Sequence, residues 1–134
     1  MQDKVKEINR NSIGESREDY LEAIYMLIKE NGACRPTDIA VKLSVSKPSV
    51  SVALNKLEAE NYIRRDDWKI ILTESGNDVA CRTLQKHNFF KDWLMAAGID
   101  KSTAEQEACH IEHVISDDSF DKIEAYTRVS PQST

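Results

Sequence analysis

Between Thr37 and Glu60 two short helical patterns are separated by only Ser44 and Val45, and this spacing constrains the fold more than any other feature of the chain. Thr37 is a good N-cap for a small helix over Asp38–Leu43. Ser46 caps a second helix, which tolerates Pro48 in its first turn and runs to about Glu60. The inward positions of that second helix are Val50, Ala53, Leu54 and Leu57. Two helices of this length joined by so tight a turn form a helix-turn-helix unit.

The flanking segments complete a mainly α reading. Ser16, followed by Arg17, Glu18 and Asp19, predicts a helix start with acids in its first turn. That helix runs to about Asn31, stops at Gly32, and carries an apolar stripe of Tyr20, Leu21, Ile24, Leu27 and Ile28. After Asn61 the pattern turns β-prone: Tyr62–Arg65 and Lys69–Thr73, separated by Asp66, Asp67 and Trp68, read as a hairpin. Thr73 then caps a long helix ending near Gly98, Ser102 or Thr103 begins another reaching about Ile115, and Ser116 or Asp117 starts a last one toward Tyr126. A winged helix-turn-helix with a small two-stranded wing, followed by a helical domain, is the expected architecture. With 134 residues, 40% of them hydrophobic, the chain can bury one core or two small ones.

Charge is partitioned along the chain. Residues 35–65 hold six basic side chains against three acids, whereas residues 99–126 hold two lysines against eight acids. A nucleic-acid face therefore survives within a chain of net charge −5, because local potential outweighs total charge. The outward face of the second helix presents Pro48, Ser51, Val52, Asn55 and Ala59, with Lys56 flanking. Asn can pair with adenine, an exposed Val can meet a thymine methyl, and Lys56 is better placed for phosphate. With Arg64, Arg65 and Lys69 on the wing, and Arg35, Lys47 and Ser49 beside the helices, these residues form the candidate DNA-binding set. Trp68 at the hairpin tip is either an exposed contact or folded back on the core. The bland alternative is a solvated helix face, since this geometry also serves protein contacts.

A second constellation lies near the C-terminus. On the next-to-last helix Ala104, Ala108, Ile111, Val114 and Ile115 cluster on one side, while Glu105, Cys109, Glu112 and His113 share the other. Cys109, Glu112 and His113 stand at i, i+3 and i+4, so their tips can converge, and thiolate, carboxylate and imidazole are all donors to a divalent transition metal. A polar helix face with an incidental cysteine explains the same spacing. On the first helix Asp19 and Glu22 share a face with Ala23 and Met26, small and apolar neighbours that suggest a covering element; exposed acids at a helix start are the rival reading. His87 lies in line with Thr83, Phe90 and Leu94, where a core histidine is commoner than a ligand, and His110 points away from His113.

The runs SREDYLEAIYMLI, TDIAVKLSVSKPSVSVALNKL, LTESG, KHNFFKDWL and above all EACHIEHVISD resemble the metal-dependent repressors of the diphtheria toxin repressor and manganese transport regulator type. The resemblance covers about Ser16 to Tyr126. It implies an N-terminal winged helix-turn-helix followed by a helical dimerisation domain, with metal held between them. Matched by position, Asp19, Glu22, His87, Cys109, Glu112 and His113 are metal-binding positions, with Glu105 a further candidate. Asp19 and Glu22 look manganese-like, whereas Cys109 occupies a position that is Cys in the iron-type branch and Glu in the manganese-type branch. Lys91 and Glu105 stand where the iron-type branch's ancillary site has Glu and His. The implied organisation is an arm over 1–15, the winged domain over 16–74, the metal-binding and dimerisation domain over 75–127 and a flexible tail over 128–134. The implied protein is a homodimeric repressor of metal-uptake genes that binds operator DNA with Fe²⁺ or Mn²⁺ as co-repressor, Zn²⁺, Co²⁺ or Ni²⁺ substituting in vitro. The length leaves no room for the SH3-like third domain of longer members.

Several classes are disfavoured. The longest apolar run, Ala23 to Ile28, falls far short of a membrane span, and the first fifteen residues carry no apolar signal segment. Three well-separated cysteines suit a reducing cytoplasm better than a disulfide framework. No phosphate loop, GxSxG elbow or HExxH motif is present, so the expectation is a regulator and not an enzyme, with no organic substrate. Two rivals remain at this point: a winged-helix regulator answering to a small molecule or to thiol oxidation at Cys109, and, less supported, a metal-dependent hydrolase built on the same ligands.

Overall fold

The computed structural model describes residues 13–129, and the residues of the expected arm before Ile13 lie outside that range, as does the end of the tail. Six helices and one antiparallel hairpin follow one another as α1 (Ile13–Asn31), α2 (Pro36–Leu43), α3 (Lys47–Ala59), β1 (Ile63–Asp66), β2 (Lys69–Leu72), α4 (Glu74–Ala96), α5 (Lys101–Val114) and α6 (Asp117–Val129). They form two compact units, one reaching Leu84 and the other beginning at Gln85, so the division falls inside α4.

In the first unit α1, α2 and α3 surround a core of Leu21, Ile24, Ile39, Val50, Leu54 and Leu57, closed below by Ile63 and Ile70 of the hairpin and Ala80 of α4. The helix starts explain themselves locally. Ser46 Oγ accepts the Ser49 N–H at 3.2 Å, so α3 begins at the expected cap. At α2 the cap is Arg35 and not Thr37: Pro36 takes the first helical position with its preset φ, and Asp38 accepts the Arg35 N–H at 3.1 Å. Helix α1 begins at Ile13, three residues ahead of the expected start, which leaves Ser16 inside the helix at a cost of only about half a kcal/mol.

The first strand lies one residue later than the expected run and the second stops one residue sooner, with Ile63 paired to Leu72 and Asp66 to Lys69. That leaves a two-residue tip, in which Asp67 takes the left-handed conformation at φ 61°. Thr73 caps α4 as expected, accepting the Gly76 N–H at 3.1 Å, while its hydroxyl donates back to the Asn61 carbonyl at 2.8 Å. Gly76 is required at this junction, because a Cβ there would collide with the Tyr62 carbonyl.

The second unit packs the C-terminal part of α4 with α5 and α6 around Phe90, Ala108 and Phe120, supported by Phe89, Ile111 and Ile115. Phe89 meets Phe90 and Phe120 edge to face at 5.0 and 5.4 Å. Gly98 ends the α4 corner at φ 98°. The α5 cap is Asp100, not Ser102 or Thr103: its carboxylate accepts the Thr103 N–H at 3.1 Å, and these bonds hold its pKa below the ordinary value. Val114, expected on the inner stripe, is 82% exposed, because it sits at the stripe's edge and in the last position of α5. Ser116 Oγ accepts the Ser119 N–H at 3.0 Å at the start of α6, which continues to Val129, past the expected end near Tyr126.

Candidate metal centre and nucleic-acid interface

The first unit turns one face of α3 inward and leaves the other to solvent. Val50, Leu54 and Leu57 are buried, whereas Lys47, Pro48, Ser49, Ser51, Val52, Asn55 and Lys56 are all exposed. Arg35 at the head of α2 and Arg64, Arg65 and Lys69 on the hairpin are exposed as well. All eleven sequence-predicted DNA-binding residues thus lie on the surface of one compact unit, carried by a helix-turn-helix and its wing. Val52 is 68% exposed in the middle of α3. Trp68 is neither buried nor free: it is 44% exposed, with the Arg35 guanidinium stacked 4.5 Å from its ring centroid.

The same unit carries Asp19 and Glu22, one turn apart on α1 and both half-buried, while their neighbour Ala23 is buried and Met26 half-buried. Burial and the negative charge of Asp19 raise the Tyr20 hydroxyl above its ordinary pKa.

In the second unit, Cys109, Glu112 and His113 offer ligand atoms that all lie within 4.8 Å of one another. Glu112 is 1% exposed, and His87 reaches it from α4, Nδ1 lying 2.8 Å from Oε1. The other oxygen, Oε2, stands 3.2 Å from His113 Nε2. One buried carboxylate therefore has an imidazole at each oxygen, and a sulfur close by. Sulfur, nitrogen and carboxylate oxygen within a few ångströms form a donor set suited to a divalent transition ion, and buried carboxylates need such compensation. Glu105 is exposed and lies outside this grouping; His110 is exposed, its Nδ1 2.9 Å from the Gln106 carbonyl of its own helix.

Sequence reasoning missed one participant. Lys86 is 5% exposed, donates to the Ile115 carbonyl at 3.0 Å and pairs with Asp117 at 2.7 Å. It fastens α4 to the corner just after the end of α5 that carries Cys109, Glu112 and His113. The available signal was its position three residues after Thr83 and four before Phe90, on the buried stripe itself, where a lysine can lay its stem along the core and carry its charge to the rim.

A winged helix-turn-helix unit followed in the chain by a helical unit with a clustered S, N and O donor set defines a class: DNA-binding proteins with a metal-binding helical domain. Residues 12–67 match the iron dependent repressor N-terminal DNA binding domain, and residues 73–130 match the iron dependent repressor metal binding and dimerisation domain. The chain is 38% identical over 109 residues to the HTH-type transcriptional regulator MntR of Shouchella clausii (strain KSM-K16), an alignment covering 81% of this chain and 76% of that protein. Among solved structures it is similar to the manganese regulator SloR, with 30% identity and a TM-score of 0.74 over 84% of this chain and 53% of that one. It is also similar to ScaR with bound Zn²⁺, with 27% identity and a TM-score of 0.71 over 84% of this chain and 53% of that one. The chain spans about half the length of these two solved structures. It belongs to the iron-dependent repressor family.

Proposed function

We propose that the chain acts as a homodimeric, metal-responsive repressor that binds operator DNA near metal-uptake genes and takes Fe²⁺ or Mn²⁺ as its co-repressor. The observation that carries this reading is the convergence of Cys109, Glu112 and His113, with His87 on the same carboxylate, in a chain whose winged unit exposes eleven residues suited to DNA. We take Cys109, Glu112, His113 and His87 as ligands contributed by the second unit, with Asp19 and Glu22 of α1 completing the set; Glu105 is a reserve ligand. The ion would supply positive charge to a site rich in carboxylates. The chain's own residues do the rest: α3 presents Ser51, Val52 and Asn55 to base edges, while Arg35, Lys47, Lys56 and the wing cations engage phosphates.

Two copies present two such helices, and dimeric winged proteins read half-sites about 34 Å apart on one face of the duplex. Metal strengthens DNA binding only as far as it favours the arrangement that suits that spacing, typically by about 1–3 kcal/mol. No helix of the described residues is long and apolar enough to cross a membrane, and an operator DNA partner supports a cytoplasmic location. The matched relative is named as a transcriptional regulator, which favours this reading over a hydrolase on the same ligands.

Anisotropy of labelled promoter DNA, titrated anaerobically with protein in Mn²⁺, Fe²⁺, Zn²⁺ or chelator, tests the proposal. Tighter binding with Mn²⁺ or Fe²⁺ than with chelator is the expected result. Equal binding in chelator would overturn the co-repressor role and leave a winged module with another signal.

A further inference from the structure

Trp68 is the sequence feature that the proposed function leaves unused. The hairpin tip has only two residues, Asp67 and Trp68, and the indole is stacked beneath two cations: Arg35 Cζ lies 4.5 Å from the ring centroid and Lys69 Nζ 5.6 Å. These cations come from separate parts of the chain, one from the head of α2 and one from β2. A backbone bond, Ile70 N–H to the Cys34 carbonyl at 3.1 Å, holds the two segments at a fixed separation. Asp38 takes the Arg35 backbone N–H, which fixes the main chain from which that side chain springs.

A guanidinium stacked on an aromatic face has its planar surface occupied, while its N–H edge stays available for an oxygen acceptor in the ring plane. All three side chains are exposed. Asp66 and Asp67 share the tip and have the sign of a phosphate, so at the tip it is the Arg35–Trp68–Lys69 group that offers an anion positive charge.

We infer that Trp68 is a positioning residue that holds Arg35 and Lys69 as one preformed clamp for the phosphate backbone of DNA. The inference deepens the proposed DNA-binding function and rests on it. Its partner is the phosphodiester chain and not a particular base, so the clamp works on duplexes of any sequence. The indole shapes binding without carrying charge: it spares the cost of ordering a long, flexible arginine when the phosphate arrives.

The test uses the full chain with Mn²⁺, a fluorescein-labelled duplex of mixed sequence, and anisotropy over a range of salt concentrations. Arg35→Ala should flatten the slope of log affinity against log salt by about one unit, the loss of one phosphate contact. Trp68→Leu, which removes no charge, should flatten the slope in the same direction and weaken binding roughly two- to fivefold, the size of an exposed cation–π contact. Trp68→Phe should restore both, and Trp68→Leu should have a smaller effect in the Arg35→Ala background, where only Lys69 is left to position, than in the native protein. An unchanged slope in Trp68→Leu, or additive losses in the double variant, would overturn the clamp while leaving DNA binding intact. A native protein showing no salt-dependent affinity for any duplex would instead overturn the proposed function. Thermal unfolding of each variant separates loss of the clamp from loss of the fold: recovery of the slope in Trp68→Phe supports the clamp, and a matching loss of slope and melting temperature in both ring variants refutes it.

Discussion

Replacing Lys86 with Met tests whether the corner after α5, the helix of Cys109, Glu112 and His113, depends on a buried amine. The lysine is 5% exposed and makes two contacts, to the Ile115 carbonyl at 3.0 Å and to Asp117 at 2.7 Å. They are unequal. The Asp117 side chain is 64% exposed, so its ion pair is screened and contributes at most about 1 kcal/mol. The carbonyl bond is charge-assisted, and removing its donor costs about 1–3 kcal/mol. Against this, methionine preserves the packing of the stem and abolishes the desolvation of a buried ammonium, which recovers part of the loss. A net destabilisation of about 1–2 kcal/mol is expected for Lys86→Met, and under about 0.5 kcal/mol for Asp117→Asn, whose carboxylate keeps only a surface role. Urea denaturation followed by circular dichroism, at fixed metal and protein concentration, measures both. Equal losses in the two variants, or a stabilised Lys86→Met, would refute the assignment of the larger share to the Ile115 carbonyl.

Other consequences are as direct. Gly76→Ala drives a methyl into the Tyr62 carbonyl where α4 leaves the wing, and should destabilise the first unit by about 1–3 kcal/mol in the same denaturation assay. Burial, then the charge of Asp38, pushes the Cys34 thiol up to about 12, so its thiolate is negligible near neutral pH. Iodoacetamide at pH 8 should therefore label Cys81 and Cys109, both only partly buried, well before Cys34, as read by mass spectrometry. Cys109→Ala should weaken Zn²⁺ or Fe²⁺ binding more than Mn²⁺ binding in a metal titration, because a thiolate favours the softer ions; equal losses would count against Cys109 as a ligand.

Local chemistry made the first unit legible. The Ser46 cap, the Thr73 cap and the 3.6-residue stripes of α1 and α3 depend on neighbours a few residues away, and each stands where spacing put it. Errors came where two local signals competed. Pro36 at the first helical position outweighed Thr37 as the start of α2, and Asp100 outcompeted Ser102 and Thr103 at α5. Helix spacing could place Cys109, Glu112 and His113 on one face, but not reveal that Glu112 is buried and met by His87, since that depends on how α4 and α5 are aligned. Lys86 escaped for the same reason: a charged residue on an apolar stripe becomes intelligible only when its acceptor, 29 positions later, is known.

The division of labour on α3 has an evolutionary corollary. Its anchoring residues, Val50, Leu54 and Leu57, are sealed in the interior, while Ser51, Val52 and Asn55 touch none of that packing. With α3 reading base edges as proposed, substitutions at those outward sites should shift which promoters are recognised at almost no thermodynamic penalty, leaving regulons free to be rewired while the scaffold stays the same.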